Sequence, residues 1–297
     1  MNMNCHACAI DADSTAFASI SYVENGSYSI RECQTLRTGI GEYCGPGREK
    51  AVNRLASFLK KKGIGTLALS IHTPCFFPLD TFCSSTVSDK VFDSHCRAEA
   101  AFLLNKPDEF LHDHIPYGFD KEEDPVRRHL LFYYPMYLFE TLLESLRTFC
   151  SVSSATHYLK PVIGSIATTC QPFILLEIEQ GYATFSAGNN GELEYFSYWQ
   201  LNHPSDAEYF ALRELLLNSK QRQYPVYMTG TLAGNRSFVK RISHATGKTL
   251  LPLNLAELHA MVERSTRPAY HSPVETKALS AAFLSLYEKI HSQPFSP

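Results

Sequence analysis

The sequence predicts a duplicated α/β fold, two similar halves facing one another across a cleft, and three observations predict it. A strand-turn-strand pattern occurs twice, about half the chain apart. The first copy runs from Cys8 through Ile10-Asp11-Ala12-Asp13-Ser14-Thr15 to Ile20, meets Asn25-Gly26 and returns through Tyr28 to Cys33. The second runs from Phe173 through Leu176-Glu177-Ile178-Glu179-Gln180-Gly181 to Phe185, meets Asn190-Gly191 and returns through Leu193 to Trp199. Asn-Gly between alternating β-rich segments signals a type I′ hairpin, whose two central residues both need positive φ. Asp11 and Glu177 are 166 residues apart and the two Asn-Gly pairs 165, so the copies align with a slip of one residue. Internal repetition of this kind outranks any single motif.

The elements follow in order. After the first hairpin, Gly39-Ile40-Gly41 and Gly45-Pro46-Gly47 read as a loop, and Val52, Leu55, Ala56 and Leu59 recur at helical spacing. That helix closes on Lys60-Lys61-Lys62 and Gly63, cations and a glycine suiting its C-terminal dipole and cap. Thr66 to Ile71 is a short apolar strand, so residues 1–73 read as the first half. Residues 74–149 interrupt the repeat as an inserted small α/β subdomain. Pro74 and Pro78 bracket Cys75-Phe76-Phe77, a helix spans Ser94 to Leu104, Lys121-Glu122-Glu123-Asp124-Pro125 is a solvated loop, and His129 to Tyr134 is a buried strand. A helix opens at Pro135 with Phe139, Leu142, Leu143, Leu146 and Phe149 on one face. Residues 150–297 form the second half: a helix over Lys160 to Cys170, the second hairpin, a capping box at Ser205-Asp206-Ala207-Glu208, a strand at Tyr224 to Met228, the loop Thr229 to Asn235, and a last helix carrying Leu279, Ala282, Phe283, Leu286 and Ile290. Each half is expected to hold a mixed five-stranded sheet.

Bulk properties exclude several classes. With 297 residues, 44% hydrophobic, 19% charged and a formal charge of −3, the chain is an ordinary globular one. It lacks the basic face that nucleic acid requires. No apolar run reaches the ~18 residues of a membrane span, and the first residues do not read as a secretion signal. The expected location is cytoplasmic, with any membrane attachment made through a partner. Nine cysteines without framework spacing read as reduced thiols. Cys5-His6-Ala7-Cys8 would need two further ligands to hold zinc.

In layout the chain resembles the actin-like ATPase superfamily, with its duplicated ribonuclease-H-like halves. Within it the chain is most similar to the PilM-like proteins of type IV pilus assembly and the cytoplasmic part of the secretion protein GspL. Arg97-Ala98-Glu99-Ala100-Ala101-Phe102 followed by Pro107-Asp108-Glu109 looks like an element of the subdomain that PilM-like chains insert after the first strands. The resemblance implies that both hairpins cradle phosphate through Asp-x-Gly turns, the acid acting through magnesium and the glycine admitting backbone N–H groups. The first turn supplies Asp11 and Ser14 with Asp13 for the glycine. The second reads Glu177-Ile178-Glu179, with Gly181 two residues late. The adenosine loop keeps Thr229-Gly230 but has Thr231 for a second glycine. Two like charges ~4 Å apart repel by about 4 kcal/mol at an effective dielectric near 20, so the carboxylates oppose a triphosphate.

Asp11, Ser14, Glu177, Gly181 and Gly230 are therefore expected to line a vestigial nucleotide cleft, with ATP and magnesium disfavoured and no cofactor expected. Asp11, Asp13, Glu177 and Glu179 form either a metal or acid-base cluster or a set of solvated turn acids. His112-Asp113-His114 reads as a surface loop pair rather than a site, and His72, His95 and His129 have no recognisable partners. The resemblance implies an assembly scaffold that binds a peptide or cytoplasmic tail of a membrane-anchored protein near the inserted subdomain, where Phe76-Phe77 and Phe132-Tyr133-Tyr134 concentrate aromatic surface. A homo-oligomer is compatible with this. The alternatives are an ATP-dependent hydrolase or small-molecule kinase using Asp11 and Glu177 with magnesium, and a binding protein for another ligand.

Overall fold

The computed structural model describes residues 3–23, 26–73, 75–84, 86–117, 126–218, 223–263 and 271–291. The first three strands, β1 (Met3–Ile10), β2 (Thr15–Tyr22) and β3 (Tyr28–Leu36), form a meander followed by α1 (Ile40–Cys44), α2 (Arg48–Lys61) and β4 (Thr66–Ile71). Next come β5 (Phe77–Ser84), α3 (Asp89–Leu103), β6 (Phe110–Pro116), β7 (Val126–Pro135) and α4 (Met136–Leu146). Then β8 (Ser151–His157) and α5 (Leu159–Ala167) lead into a second meander, β9 (Phe173–Ile178), β10 (Tyr182–Asn189) and β11 (Glu192–Gln200). The chain ends with α6 (Pro204–Leu217), β12 (Val226–Thr229), α7 (Arg236–Thr246), β13 (Leu250–Pro252), α8 (Leu255–Leu258), β14 (Val262–Glu263) and α9 (Pro273–His291).

The duplication is visible in the strand order. One sheet contains β3-β2-β1-β4-β8 and the other β11-β10-β9-β12-β13. In each, the first two pairings are antiparallel and the last two parallel. Parallel pairing demands a crossover, which α2 supplies between β1 and β4. The first sheet has six strands rather than five, because β14 adds to β3 in parallel. Asn190 at φ 52° and Gly191 at φ 86° close the second hairpin as a type I′ turn. Gly26 has φ 82°, while its neighbour Asn25 lies outside the described residues, as do Pro74 and the 121–125 loop.

The division at residue 150 needs correction. β8 and β14 belong to the first sheet, and α9 packs on β1 and β2, so three pieces of the assigned second half complete the first. The inserted unit is a separate three-stranded sheet, β5-β7-β6, backed by α3. Local boundaries shift as well. The glycine-rich 39–47 loop contains α1, whose Glu42 carboxylate accepts the Gly39 N–H at 3.1 Å. Helix α3 begins at Asp89, before Ser94, and α6 begins at Pro204, where Asp206 accepts the Asn202 and His203 N–H groups at 3.0 and 2.9 Å.

Both faces of the first sheet are covered, which explains why β2 and the second half of β1, Ala7 to Ile10, are buried. Cys8, Ile10, Phe17, Leu67, Leu69 and Ile71 join one core with Leu55 and Leu59 of α2. The opposite face presents Ala7, Ala9, Ala16 and Ala18 to Ala278, Leu279, Ala282 and Phe283 of α9. Helix-packing distance depends on side-chain size at the contact, so alanine against alanine draws α9 close to the sheet. The second sheet packs Ile174, Leu176 and Phe185 against Ala207, Ala211, Phe238 and Ile242. Among the described residues, no helix is long and apolar enough to cross a membrane.

Candidate functional site: a carboxylate cluster around Lys277

The site is built by the two turns that join the first two strands of each meander. In the first, the ladder ends with Ile10 opposite Thr15, and the Asp11 N–H donates to the Ser14 carbonyl at 2.8 Å. In the second, the ladder's last pair is Ile178 opposite Ala183, and the Glu179 N–H donates to the Tyr182 carbonyl at 2.9 Å. The hydrogen-bonded equivalent of Asp11 is therefore Glu179, and that of Asp13 is Gly181. This corrects the sequence alignment: Gly181 is not late, and the second turn, Glu179-Gln180-Gly181, keeps its glycine. Only the first turn has exchanged glycine for a carboxylate. Matching the ends of apolar runs misled because Glu177 lies inside β9, one pleat before the turn and on the same face as Glu179.

Lys277 of α9, 1% exposed, places its ammonium where the turns converge. Its Nζ donates to Asp11 Oδ2 at 2.9 Å and to Glu179 Oε1 at 2.7 Å, stands 4.0 Å from Glu177 Oε1 and lies 4.3 Å from the centre of the Tyr158 ring. His72 follows β4 and bonds Asp11 Oδ1 through Nδ1. With the imidazole neutral, Nδ1 carries the proton and Nε2 accepts from the Tyr182 hydroxyl at 2.9 Å. Tyr182 in turn bonds Tyr158. Glu179 Oε2 accepts the Thr231 N–H at 3.2 Å and also the Thr231 hydroxyl.

The charges divide unequally. Burial alone would neutralise Lys277, but Glu179, Asp11 and Glu177 outweigh it and hold the ammonium above its ordinary pKa. Burial also opposes ionisation of Asp11, yet Lys277 and His72 keep that carboxyl well below the usual carboxylate range. Glu177 is different. It is fully buried, neither carboxyl oxygen makes a hydrogen bond, and burial lifts its pKa from 4.5 to about 8 against the partial pull of Lys277. At neutral pH the cluster thus holds one ammonium, an ionised Asp11 and a largely protonated Glu177.

Asp11, His72 and Glu179, two carboxylates and an imidazole, offer ligand atoms within 4.8 Å of one another. The Lys277 ammonium already lies among all three. Above it remains a cleft of about 540 Å³ bordered by Asp13, Ser14, Gln180, Gly181 and Thr231. Gly230 is required where it stands: at φ +88° a Cβ would overlap the Ile178 backbone. Gly230→Ala is expected to cost about 2 kcal/mol or more in urea unfolding through this strain and overlap.

The solvated-acid reading holds for exposed Asp13 and fails for Glu177 and Glu179, both buried. His72 has partners that the sequence did not reveal. So has His95, which bonds Thr81 at 3.0 Å. Lys277 was missed altogether, although its signal is legible: it is a lone cation in the apolar stretch Val274 to Leu286. Cys5 and Cys8 point into different cores on opposite faces of β1, so they cannot share a metal. His112 and His114 lie on β6 rather than in a surface loop, His112 paired with Asp93 at 3.3 Å and His114 packed on Phe92. Phe76, Phe132, Tyr133 and Tyr134 are core; only Phe77, 44% exposed, offers surface.

No family model matches the chain, and no curated protein matches it. Solved structures do. A chain of the PilM-PilN type IV pilus biogenesis complex is similar over 94% of this chain and 97% of its own, with 13% identity and a TM-score of 0.72. A Bacteroides thetaiotaomicron protein of unknown function with an actin-like ATPase fold covers 86% and 94% at 11% identity and a TM-score of 0.48. The cytoplasmic domain of EpsL, an inner-membrane component of the Vibrio cholerae type II secretion system, covers 95% of each chain at 6% identity and a TM-score of 0.48. The first likeness shows the fold, to which the two weaker ones add no argument. The chain has the two-lobed actin-like ATPase fold, in its PilM-like form.

Proposed function

We propose that this protein is an actin-like assembly scaffold that works without nucleotide turnover and captures a cytoplasmic segment of a membrane-anchored partner. The observation that carries the reading is Lys277. An internal ammonium 2.7 and 2.9 Å from Glu179 and Asp11 sits between the two turn acids that the resemblance would assign to magnesium, and it needs no ligand to neutralise them. Asp13 at the mouth adds a charge opposing a triphosphate. What holds the halves together is then permanent, and function moves to the surface.

A groove of about 700 Å³ lies between β5 and β11, lined by Phe76, Phe77, Leu79, Leu130, Phe196 and Tyr198. Both strands are sheet edges, the setting in which an extended peptide adds as a strand while its side chains fill apolar pockets. The location would be cytoplasmic, at the membrane only through the partner. The enzyme reading retains one favourable observation, Gly181 in its proper place.

Photocrosslinking in the native host tests the scaffold, with the reactive side chain at Phe77 and, as control, at exposed Tyr209 on α6. Position 77 is expected to trap the cytoplasmic segment of a membrane-anchored protein and position 209 not to. Calorimetry should show no heat from Mg-ATP up to 1 mM, a limit equivalent to about −4 kcal/mol of binding. Micromolar Mg-ATP affinity with hydrolysis would overturn the reading in favour of the enzyme.

A further inference from the structure

Outside the cleft, Cys33 on β3 meets His271 and Glu275 at the start of α9, with one ligand atom from each within 4.8 Å of the others. The pattern mixes thiolate, imidazole and carboxylate, and it joins residues 33 and 271, distant in sequence, across a sheet-helix seam. Cys33 is 8% exposed, and the His271 and Glu275 side chains 8% and 12%, so bulk water is largely excluded. His271 lies two residues before α9, whose first turn carries Glu275. The Glu275 carboxylate is oriented by two donors, the Thr35 hydroxyl at 2.9 Å and the Ser272 N–H at 3.0 Å, the outer support that metal-ligating carboxylates use. His271 Nδ1 lies 4.0 Å from Glu275 Oε2, so imidazole and carboxylate already meet.

We propose that Cys33, His271 and Glu275 bind a zinc-class divalent ion that pins the start of α9 to β3. Zinc takes sulfur, nitrogen and oxygen at ~2.0 to 2.3 Å in tetrahedral geometry, which places ligand atoms about 3.5 Å apart; side-chain rotation closes the present spacing. Three protein ligands leave the fourth position to water. Thiolate and imidazole favour zinc and cobalt over magnesium or calcium. On binding, the Cys33 thiol releases its proton to solvent and its sulfur forms the metal bond, with no change of oxidation state. The cleft supplies an entry path, since its rim includes Thr35 and Ser272. The ion's place in the fold follows from α9: Glu275 precedes Lys277 by two residues, so fixing the helix start fixes how far the ammonium reaches between the turns.

The test uses the full chain, reduced, stripped of metal, and with the three exposed cysteines replaced (Cys44→Ser, Cys75→Ser, Cys170→Ser). Titration with zinc chloride against a chromophoric chelator should give one site of submicromolar dissociation constant. Cobalt chloride should give a thiolate-to-cobalt charge-transfer band and tetrahedral d–d bands. Adding Cys33→Ser or His271→Ala should weaken zinc at least a hundredfold and abolish the charge-transfer band or its tetrahedral companions; Glu275→Gln should weaken it about tenfold. Zinc should also raise the melting temperature of the parent and not of these variants, which a purely helix-capping role for Glu275 would not produce. Absence of the cobalt band in the parent, or a band unchanged by Cys33→Ser, overturns the proposal. Should Cys33→Ser not fold, unchanged zinc affinity in His271→Ala overturns it equally.

Discussion

Lys277→Met is expected to destabilise the fold by about 3 to 5 kcal/mol, the cost of breaking a buried ion pair by removing one partner. The substitution keeps roughly the volume and apolar stem of the side chain, so packing of α9 against the alanine face of β1 and β2 survives. What is lost is the counter-ion of two carboxylates. Asp11 stays ionised now because Lys277 and His72 oppose its burial; without the ammonium, Asp11 keeps only its bonds from His72 and the Ala12 N–H, and Glu179 those from Thr231, and neither retains the buried cation between them. At the size of this chain the loss corresponds to a fall of about 5 to 8 °C in melting temperature, read by calorimetry or circular dichroism at pH 7. The triple variant Asp11→Asn, Glu179→Gln, Lys277→Met should recover most of it, because replacing a whole buried charge cluster by neutral groups is often close to neutral. A loss under 1 kcal/mol in the single variant would mean that the ammonium does not hold the turns. Single and triple variants losing equally would trace the effect to packing.

Glu177→Gln should change how stability depends on pH. The group's pKa rises on folding from 4.5 to about 8 through burial. Between those values the folded state holds a proton that the unfolded state has released, so wild-type stability falls as pH rises, by about 1.4 kcal/mol per pH unit from this group. The contribution is fully present below about pH 4.5 and exhausted above about pH 8. Asp11 acts in the opposite sense: its folded pKa is depressed, and the stability it supplies is present above its ordinary value of 3.8 and lost as pH falls below it. Because the second effect lies under pH 4, the two separate cleanly. Urea unfolding of wild type and Glu177→Gln from pH 5 to 9 should show the variant gaining on wild type up to about pH 8, by a total of about 4 kcal/mol, then running parallel. A constant difference across that range would show that Glu177 does not take up a proton on folding.

Residue types and periods alone determined the duplication, the two meanders and most helices of this protein. Asn190-Gly191 demands positive φ at both positions, and the buried runs of β1 and β9 carry their own pattern, so both are local and legible. Gly230 was legible only through the resemblance, and the structure supplies its physical reason, a φ of +88° beside the Ile178 backbone. Which turn residues correspond was decided by the hydrogen-bonded ladder. Register is a property of paired strands, and the apolar run containing Glu177 gives no hint that the turn begins at Glu179. The place of β8 in the first sheet and of α9 on its face also depends on contacts between residues about 85 positions apart or more, which no window of sequence contains. Lys277 shows the limit most plainly. A cation in an apolar helix announces a buried partner, but its partners are Asp11 on a different element 266 residues away and Glu179 in the other half, and only the folded chain brings the three charges within hydrogen-bond reach, where burial makes their pairing obligatory.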